Sequence, residues 1–214
     1  MEVKEGTPFL YTGIGISGKI CSGKTTLAEH IESSLGFPRV SLANELKEQV
    51  ESSLRFYGLD VRKGQLLGKY KEKVRPLLQH WGTLFRFFNG EDFWVETLFH
   101  ANEKPFVVDD VRYENEVDGL RKRGFLLVHL SVYEPIRLAR IQRIYPNTKE
   151  EDLRHASEMD LDGKDSLFDI NIQQMNDNKE SLFLHFDSLI KGKEFIDMPL
   201  VQQQFRDYDM PEVS

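Results

Sequence analysis

The residues with the clearest chemical potential form a glycine-rich run at positions 18–25. The run fits the pattern G-x-x-x-x-G-K-[ST] at every fixed position, and loops of this kind bind nucleotide phosphates. Its glycines let the backbone turn tightly enough for successive N–H groups to point at phosphate oxygens. Lys24 would bring a positive charge to the β- and γ-phosphates, and the Thr25 hydroxyl would bind Mg²⁺. The run therefore predicts a site for a nucleoside triphosphate.

A second group of charged residues, Asp109, Asp110 and Arg112, lies at the end of a predicted buried strand. Ligands of an open α/β sheet bind at the carboxyl ends of its strands, so these residues should face the same crevice as the loop. Phosphoryl transfer requires cations that neutralise developing oxygen charge. We expect Asp109 to share Mg²⁺ with Thr25, and Arg112 to reach a phosphate of the acceptor. A salt-bridged strand end without a ligand is the alternative.

Three arginines, Arg137, Arg140 and Arg143, recur at every third residue of a predicted helix and form a basic stripe. A polar connection at 145–164 follows this helix, so the stripe would lie beside a lid. Arginine suits phosphate binding because its planar group stays charged and donates two parallel hydrogen bonds. A solvated helix face explains the same spacing, and this alternative stays open.

A helical tract at 64–89 carries aromatic, amide and cationic side chains that suit a nucleotide acceptor. The candidates are Arg75, Gln79, Trp81, Thr83 and Arg86. Stacking on an aromatic ring together with an amide hydrogen bond can recognise a nucleobase. Aromatic residues at helical spacing more often belong to the core, so Trp81 also has a purely structural interpretation.

The elements that must position these residues alternate between strands and helices. The predicted strands span 9–16, 39–42, 105–110, 125–132 and 168–172. The predicted helices span 25–35, 42–57, 64–89, a short segment from 91, 113–123, 134–144 and 179–190. Apolar strands that alternate with helices favour a parallel sheet covered on both faces. The sequence thus predicts an α/β fold, three layers (α/β/α) around a central parallel five-stranded sheet.

Composition restricts the class of protein. The 214 residues, 40% of them hydrophobic, can bury a substantial core, most readily as one domain. Cys21 is the single cysteine, so no internal disulfide can form, and no apolar run reaches the length of a signal sequence or membrane span. These features predict a cytoplasmic protein without a membrane partner. The net charge of −7 disfavours nucleic acid as a partner, although a local basic patch could override it.

Four motifs of the chain resemble those of the P-loop nucleoside monophosphate kinases, and more narrowly the deoxynucleoside monophosphate kinases of tailed phages. The likeness covers about residues 14–189. The motifs are Ser17-Gly18-Lys19-Ile20-Cys21-Ser22-Gly23-Lys24-Thr25, Leu78-Gln79-His80-Trp81-Gly82-Thr83, Val108-Asp109-Asp110-Val111-Arg112, and Ser157-Glu158 followed by Phe168-Asp169-Ile170-Asn171-Ile172. The first motif is the one that is highly specific by itself.

This resemblance implies a kinase that uses ATP and Mg²⁺ to convert a small-molecule (deoxy)nucleoside monophosphate to the diphosphate. It also implies residence in the host cytoplasm if the chain is phage-encoded, and the expected assembly is a monomer or a homodimer. The kinase domain would span 1–194, with a helical acceptor region at about 43–101 and a lid at about 137–164. An acidic tail would follow at 195–214.

The resemblance assigns roles to individual residues. The catalytic candidates are Lys24, Asp110, Arg112 and Arg140. The ATP-binding candidates are Gly18, Lys19, Cys21, Ser22, Gly23, Lys24, Thr25, Thr26 and Arg137, and the metal candidates are Thr25 and Asp109. The acceptor-binding candidates are Arg75, Gln79, Trp81, Thr83, Arg86, Asp110, Arg112 and Glu158.

Three other functions stay open. Animal-type phosphomevalonate kinases have a similar loop and a strand-end Asp-x-Arg, and their acceptor lacks a base. Some phage P-loop kinases phosphorylate a modified base, 5-hydroxymethyluracil, within DNA, but the negative net charge counts against such a substrate. The non-enzymatic alternative is a nucleotide-dependent switch. The nearest match to its guanine-reading motif Asn-Lys-x-Asp is Asn178-Lys179-Glu180-Ser181, which has serine at the acidic position.

Overall fold

Strands and helices alternate along the computed structural model, which describes residues 10–58, 71–102, 105–148 and 150–195. The strands are β1 (Leu10–Tyr11), β2 (Gly13–Ser17), β3 (Arg39–Val40), β4 (Phe106–Val111), β5 (Phe125–Val132), β6 (Ile170–Gln174) and β7 (Glu194–Phe195). The helices are α1 (Lys24–Leu35), α2 (Asn44–Phe56), α3 (Lys71–Asn89), α4 (Phe93–Ala101), α5 (Glu114–Lys122), α6 (Glu134–Ile144), α7 (Glu150–Leu153), α8 (Ala156–Met159) and α9 (Lys179–Ile190), and a 3₁₀ helix spans Asp165–Leu167. In this part of the chain, no helix has both the length and the apolar character that crossing a membrane requires.

The central sheet contains five of these strands, in the order β3-β4-β2-β5-β6, and every neighbouring pair is parallel. Strand β2 is buried along its whole length, and most of β5 is buried as well. Strands that are buried on both faces need helices above and below the sheet. The predicted α/β fold with a parallel five-stranded sheet is confirmed.

Two hydrophobic clusters cover the opposite faces of this sheet. Because successive strand residues point to opposite faces, Val108 and Leu127 join one cluster while Val107 and Leu126 join the other. The first cluster includes side chains of α2, α3, α4 and α5, and the second includes side chains of α1 and α9. The sheet therefore lies between two helical layers, as predicted.

Helix ends follow the signals in the sequence. The φ of Gly36 is 72°, and its N–H donates to the Glu32 carbonyl at 3.1 Å, which closes α1. The Asn178 side-chain oxygen accepts hydrogen bonds from the N–H groups of Glu180 (2.8 Å) and Ser181 (3.2 Å), which caps the start of α9. The residue in the first position of the guanine-like motif is thus a helix cap.

The first predicted strand is divided in the structure. Residues before 10 lie outside the described part of the chain, and Thr12 separates β1 from β2. The Thr12 N–H donates to the Gly124 carbonyl at 3.0 Å, so the chain turns away from the central sheet at this point. Strand β1 then pairs in parallel with β7, where the Phe195 ring packs 5.3 Å from Phe37 and 5.7 Å from Tyr11. Phe195, predicted to begin the tail, is therefore part of a small second sheet, and residues 196–214 are outside the described residues.

Helix α3 ends at Asn89, where the predicted tract also ends. The predicted start at residue 64 lies outside the described residues, which resume at residue 71. Within them, α3 spans Lys71–Asn89. Pro76 lies inside α3. Near the end of α3, 73% of the Phe88 surface is exposed, because Phe85 is the last α3 side chain that packs on the core cluster. The predicted polar connection at 145–164 contains the short helices α7 and α8.

Candidate active site

The glycine-rich loop joins β2 to α1 at the carboxyl edge of the sheet. Gly23 precedes α1 with a φ of 104°, a conformation that side chains disfavour. A Cβ atom at Gly18 would lie 2.2 Å from the Leu130 carbonyl oxygen, so the neighbouring strand leaves no room for one. The Ser22 N–H donates to the Lys19 carbonyl at 3.1 Å, which closes the turn. The glycine-rich run at 18–25 therefore forms a tight turn of the kind that can hold a phosphate.

Lys24 lies within this loop and is 8% exposed. Its Nζ donates to the carbonyl oxygens of Gly18 and, at 2.9 Å, of Lys19. Burial, and then the nearby Arg112 charge, lower the pKa of Lys24 to about 8, although carboxylates around the site oppose this shift. A phosphate anion at the loop would supply the negative charge that favours the ammonium form. The loop thus fits a polyphosphate.

Thr25 and Asp109, the two metal candidates, are in direct contact, since the Thr25 Oγ1 donates to Asp109 Oδ2 at 3.0 Å. Burial, and then the Asp110 charge, raise the pKa of Asp109, so a nearby cation would favour its ionised form. Within the part of the chain that the structure describes, no group of three or more His, Cys, Asp or Glu side chains could hold a metal. Mg²⁺ typically takes one or two protein oxygens and completes its shell with phosphate oxygens and water. The pair fits that type of shared site.

Asp110 connects the sheet to the start of α2. Its carboxylate accepts hydrogen bonds from the Ser41 hydroxyl (2.5 Å) and from the N–H groups of Leu42 (2.8 Å) and Ala43 (3.1 Å). These three donors hold the segment that leads into α2 against the end of β4. Asp110 thus positions the segment before α2, and it also lines the cleft.

Arg112 and Glu158 form an ion pair that links β4's end to α8. Glu158 Oε2 also accepts from the Ile20 N–H at 2.8 Å, so this carboxylate contacts the loop directly. Although burial opposes ionisation, the Arg112 and Lys24 charges lower the pKa of Glu158. Glu158 is therefore a buried anion between two cations, at the point where the predicted lid meets the loop.

The arginines of α6 separate into two groups in the structure. Arg137 donates to Glu134 Oε1 and Oε2 at 2.6 and 2.7 Å, and its other terminal nitrogen lies 3.5 Å from the Ile20 carbonyl oxygen. Arg140 instead lines the cleft, where it donates to the Cys21 carbonyl at 3.2 Å and to Asp177 Oδ1 at 2.7 Å. Arg137 is thus held against the outside of the loop, while Arg140 faces the ligand side.

These residues surround a cleft of about 1000 Å³. Its loop side is formed by Cys21, Ser22, Gly23, Lys24, Thr25, Thr26, Arg140, Arg143, Asp177 and Lys179, and we call this the loop half. The opposite side is formed by Leu42, Leu46, Lys47, Leu78, Gln79, Gly82, Arg86, Trp94, Tyr113 and Glu116, and we call this the helical half. Asp109, Asp110, Arg112 and Glu158 line the cleft as well.

Several predicted binding residues do not face this cleft. Trp81 packs against the core cluster, with its ring 6.2 Å from Phe85, because its side of α3 faces the sheet layer. Thr83 is exposed and donates to the Gln79 carbonyl at 3.0 Å. Lys19 extends to Asp162, with 2.7 Å between Nζ and the carboxylate. The Arg75 side chain lies outside the described residues.

Arg86, an acceptor-binding candidate, belongs to a buried cluster whose other members were not predicted from the sequence. Its guanidinium pairs with Glu116 and lies 3.9 Å from the centre of the Tyr113 ring. Glu116 Oε2 accepts from the N–H groups of Arg112 (2.7 Å) and Tyr113 (3.1 Å), and burial raises the pKa of Glu116 to about 7. Glu116 lies three residues after the residue that precedes α5, and an acid at this position is a recognisable capping signal. Trp94, whose Nε1 donates to the Gly82 carbonyl at 3.2 Å, carried no such signal.

The chain matches one family model over most of its length and shares its fold with solved structures. The model of the AAA domain family matches residues 14–160. The shikimate kinase from Acinetobacter baumannii, solved in complex with shikimate, has a TM-score of 0.50 and 16% identity, over 86% of this chain and 94% of that chain. TT1252 from Thermus thermophilus has a TM-score of 0.53 and 19% identity, over 86% of this chain and 98% of that chain. No curated protein sequence gives a significant match. The chain therefore belongs to the AAA domain family and has the α/β fold of the P-loop kinases.

Proposed function

We propose that this protein is a kinase that transfers the γ-phosphoryl group of ATP to a (deoxy)nucleoside monophosphate. The observation that carries the proposal is the continuity of the two halves of the cleft. Its volume of about 1000 Å³ lies at the upper end of the range of about 300–1000 Å³ for small-molecule sites, and its lining extends from the loop to α3. Both halves contain cations, as two polyanionic ligands require.

The loop half would bind ATP. Successive N–H groups of the loop and the buried Lys24 would hold the phosphates, and Arg140 would contact them from α6. Thr25 and Asp109 would hold Mg²⁺, which neutralises charge on the phosphate oxygens when it is bound. The lowered pKa of Lys24 supports this assignment, because a buried cation that lacks a full counter-charge is a site for an anion.

The helical half would bind the acceptor, with residues 43–101 as the acceptor region and 137–164 as the lid. Gln79 and Arg86 lie seven residues apart on α3, which corresponds to about 10 Å along a helix. A nucleoside monophosphate has a comparable length between its base and its phosphate. Arg86 and Arg112 would therefore bind the phosphate near the loop, while the Gln79 amide would contact the base.

The proposed reaction is an in-line displacement. An oxygen of the acceptor phosphate attacks the γ-phosphorus, and the bond from this phosphorus to the bridging oxygen breaks, which leaves its electron pair on ADP. The acceptor dianion has no proton to lose at the attacking oxygen, so no general base is needed. Lys24, Arg112 and Arg140 would stabilise the oxygen charges, and closure of the lid would exclude water.

One structural relative supports phosphotransfer to a small molecule. One protein of the same fold is a shikimate kinase that binds shikimate, which is not a nucleotide. The position of Trp81 in the core removes one of the two groups that were expected to recognise a base. This observation favours a second candidate, an acceptor that carries a phosphate but no base, such as phosphomevalonate.

A coupled assay of ADP formation tests the proposal. The purified protein with Mg²⁺ and ATP should phosphorylate at least one common nucleoside or deoxynucleoside monophosphate, and Lys24→Ala should abolish the reaction. Phosphomevalonate and DNA that contains 5-hydroxymethyluracil serve as rival acceptors. Activity with a rival acceptor alone would assign the cleft to that substrate instead.

A further inference from the structure

Gly82 occupies a position in α3 where glycine has a cost. It lies in the interior of a 19-residue helix, where glycine is about 1 kcal/mol less favourable than alanine. Its backbone does not require glycine, since Gly82 is not among the described residues with positive φ. The reason for glycine at this position must therefore lie in the space around it.

Gly119, a second glycine within a helix, is required by the packing around it. A Cβ atom at Gly119 of α5 would lie 2.8 Å from Val95 Cγ1, so packing excludes a side chain there. At Gly82, the one atom of the described residues within 4 Å of an added Cβ is Leu46 Cδ2, at 3.4 Å. A small shift of the flexible Leu46 side chain would accommodate that contact. Among the described residues, packing thus explains Gly119 but not Gly82.

The space that the described residues leave open at Gly82 belongs to the helical half of the cleft. Gly82 lines this half, and Gln79 and Arg86 lie three and four residues away on the same face of α3. Leu46 and Trp94 line the cleft beside it, and the Trp94 indole donates to the Gly82 carbonyl. A missing side chain at this point makes the cleft deeper, midway between the groups proposed for the base and for the phosphate.

We propose that Gly82 is a specificity-determining residue, whose missing side chain leaves room for the nucleoside part of the acceptor beside Leu46 and Trp94. This inference rests on the proposed function, because it assumes a nucleotide in the helical half. A methyl group at this position would narrow the cleft for every acceptor. It would obstruct a purine more than a pyrimidine, because the larger ring system fills more of the space.

Three variants test this inference: Gly82→Ala, the packing control Gly119→Ala and the surface control His80→Ala, whose side chain is exposed on α3. Gly82→Ala should raise the acceptor KM about tenfold or more, the effect of one extra carbon in a fitted pocket. The increase should be larger for purine than for pyrimidine monophosphates, while the KM for ATP stays unchanged. Its melting temperature should equal or exceed that of the wild type, since alanine favours the helix. Gly119→Ala should lower the melting temperature, and His80→Ala should alter neither quantity.

The possible failures are distinguishable. An active wild type with the same acceptor KM in Gly82→Ala overturns the inference alone. Unfolding of Gly82→Ala, or an equal rise in the KM values for ATP and for the acceptor, shows a structural role for Gly82. Either result also overturns the inference. A wild type that phosphorylates no nucleoside monophosphate overturns the proposed function and this inference with it.

Discussion

At the scale of single residues, the candidate site is defined by charges that are buried without full compensation. Lys24 is the clearest case, since its nitrogen contacts two backbone carbonyl oxygens and its pKa is lowered to about 8. Glu116 shows the corresponding effect for an acid, since burial raises its pKa to about 7. Both groups are poised to change protonation near neutral pH when their surroundings change.

The first prediction concerns the pH dependence of ATP binding. Bound phosphates should raise the pKa of Lys24 above its unbound value of about 8. Between the two pKa values, binding must take up a proton, so the affinity for ATP should fall as pH rises above 8, by up to about tenfold per pH unit. Calorimetric titrations in buffers of different ionisation enthalpy measure this proton uptake directly. Lys24→Arg stays charged throughout this range and should lose the dependence; equal slopes for both proteins would contradict the assignment.

A second prediction concerns stability and Glu116. A folded-state pKa of about 7, above the unfolded value of 4.5, favours the folded state at low pH, and this contribution is lost as pH rises from 4.5 through 7. The free energy of unfolding of the wild type should therefore fall, relative to Glu116→Gln, between pH 5 and pH 8. Denaturant titrations at the two pH values measure the difference. Glu114→Gln changes an exposed acid of the same helical turn and should track the wild type; a parallel course for Glu116→Gln would refute the prediction.

At the scale of elements, contacts between the ends of strands and the loops that follow them position the site. Asp110 at the end of β4 binds three donors before α2, and Glu158 near α8 binds the loop before α1. Each of these carboxylates therefore connects an element of the proposed acceptor or lid region to the sheet. Side chains of this kind would affect a bound substrate through the backbone that they hold.

Removal of the Asp110 carboxylate should release the segment that leads into α2. Because Asp110→Ala leaves three partly buried donors without their acceptor, we expect a loss of about 2–3 kcal/mol in the free energy of unfolding. The acceptor KM should rise as well, since α2 forms one wall of the helical half. Asp118→Ala, at an exposed acid of α5, should change the stability by less than about 0.5 kcal/mol. An Asp110→Ala protein as stable as this control would show that the three hydrogen bonds do not hold the segment.

The elements themselves could be predicted where local signals agree with the packing. The predicted bounds of β5, α6 and α9 match the structure, because glycine, proline and asparagine mark their ends and an apolar run fills β5. The division at Thr12 could not be predicted, since it depends on hydrogen bonds to residues more than a hundred positions away. The loop, Asp109, Arg112 and Gly82 belong to motifs of the sequence, whereas Trp94 gains its place at the cleft only when α3 and α4 pack together. Trp94 lines the cleft and Trp81 does not, and the helical spacing of Trp81 already favoured its position against the core.

At the scale of the whole molecule, one cleft joins the loop to the helical layer on one side of the sheet. The net charge of the chain is −7, yet Lys24, Arg86, Arg112 and Arg140 all line this cleft. Such a local concentration of cations in an acidic protein favours small anionic ligands over a long polyanion, which would also meet the acidic surface. This distribution is the reason to place two phosphate-bearing substrates in the cleft.

The most direct test of this account follows the γ-phosphoryl group itself. The protein is incubated with Mg²⁺ and ATP labelled at the γ-phosphate, with and without each nucleoside monophosphate, and the labelled products are separated. The account predicts label in the β-position of a nucleoside diphosphate, none in the matched reaction of Lys24→Ala, and little release as inorganic phosphate. Label that appears only as inorganic phosphate, whichever monophosphate is present, would contradict a two-substrate kinase and indicate a nucleotide-hydrolysing switch.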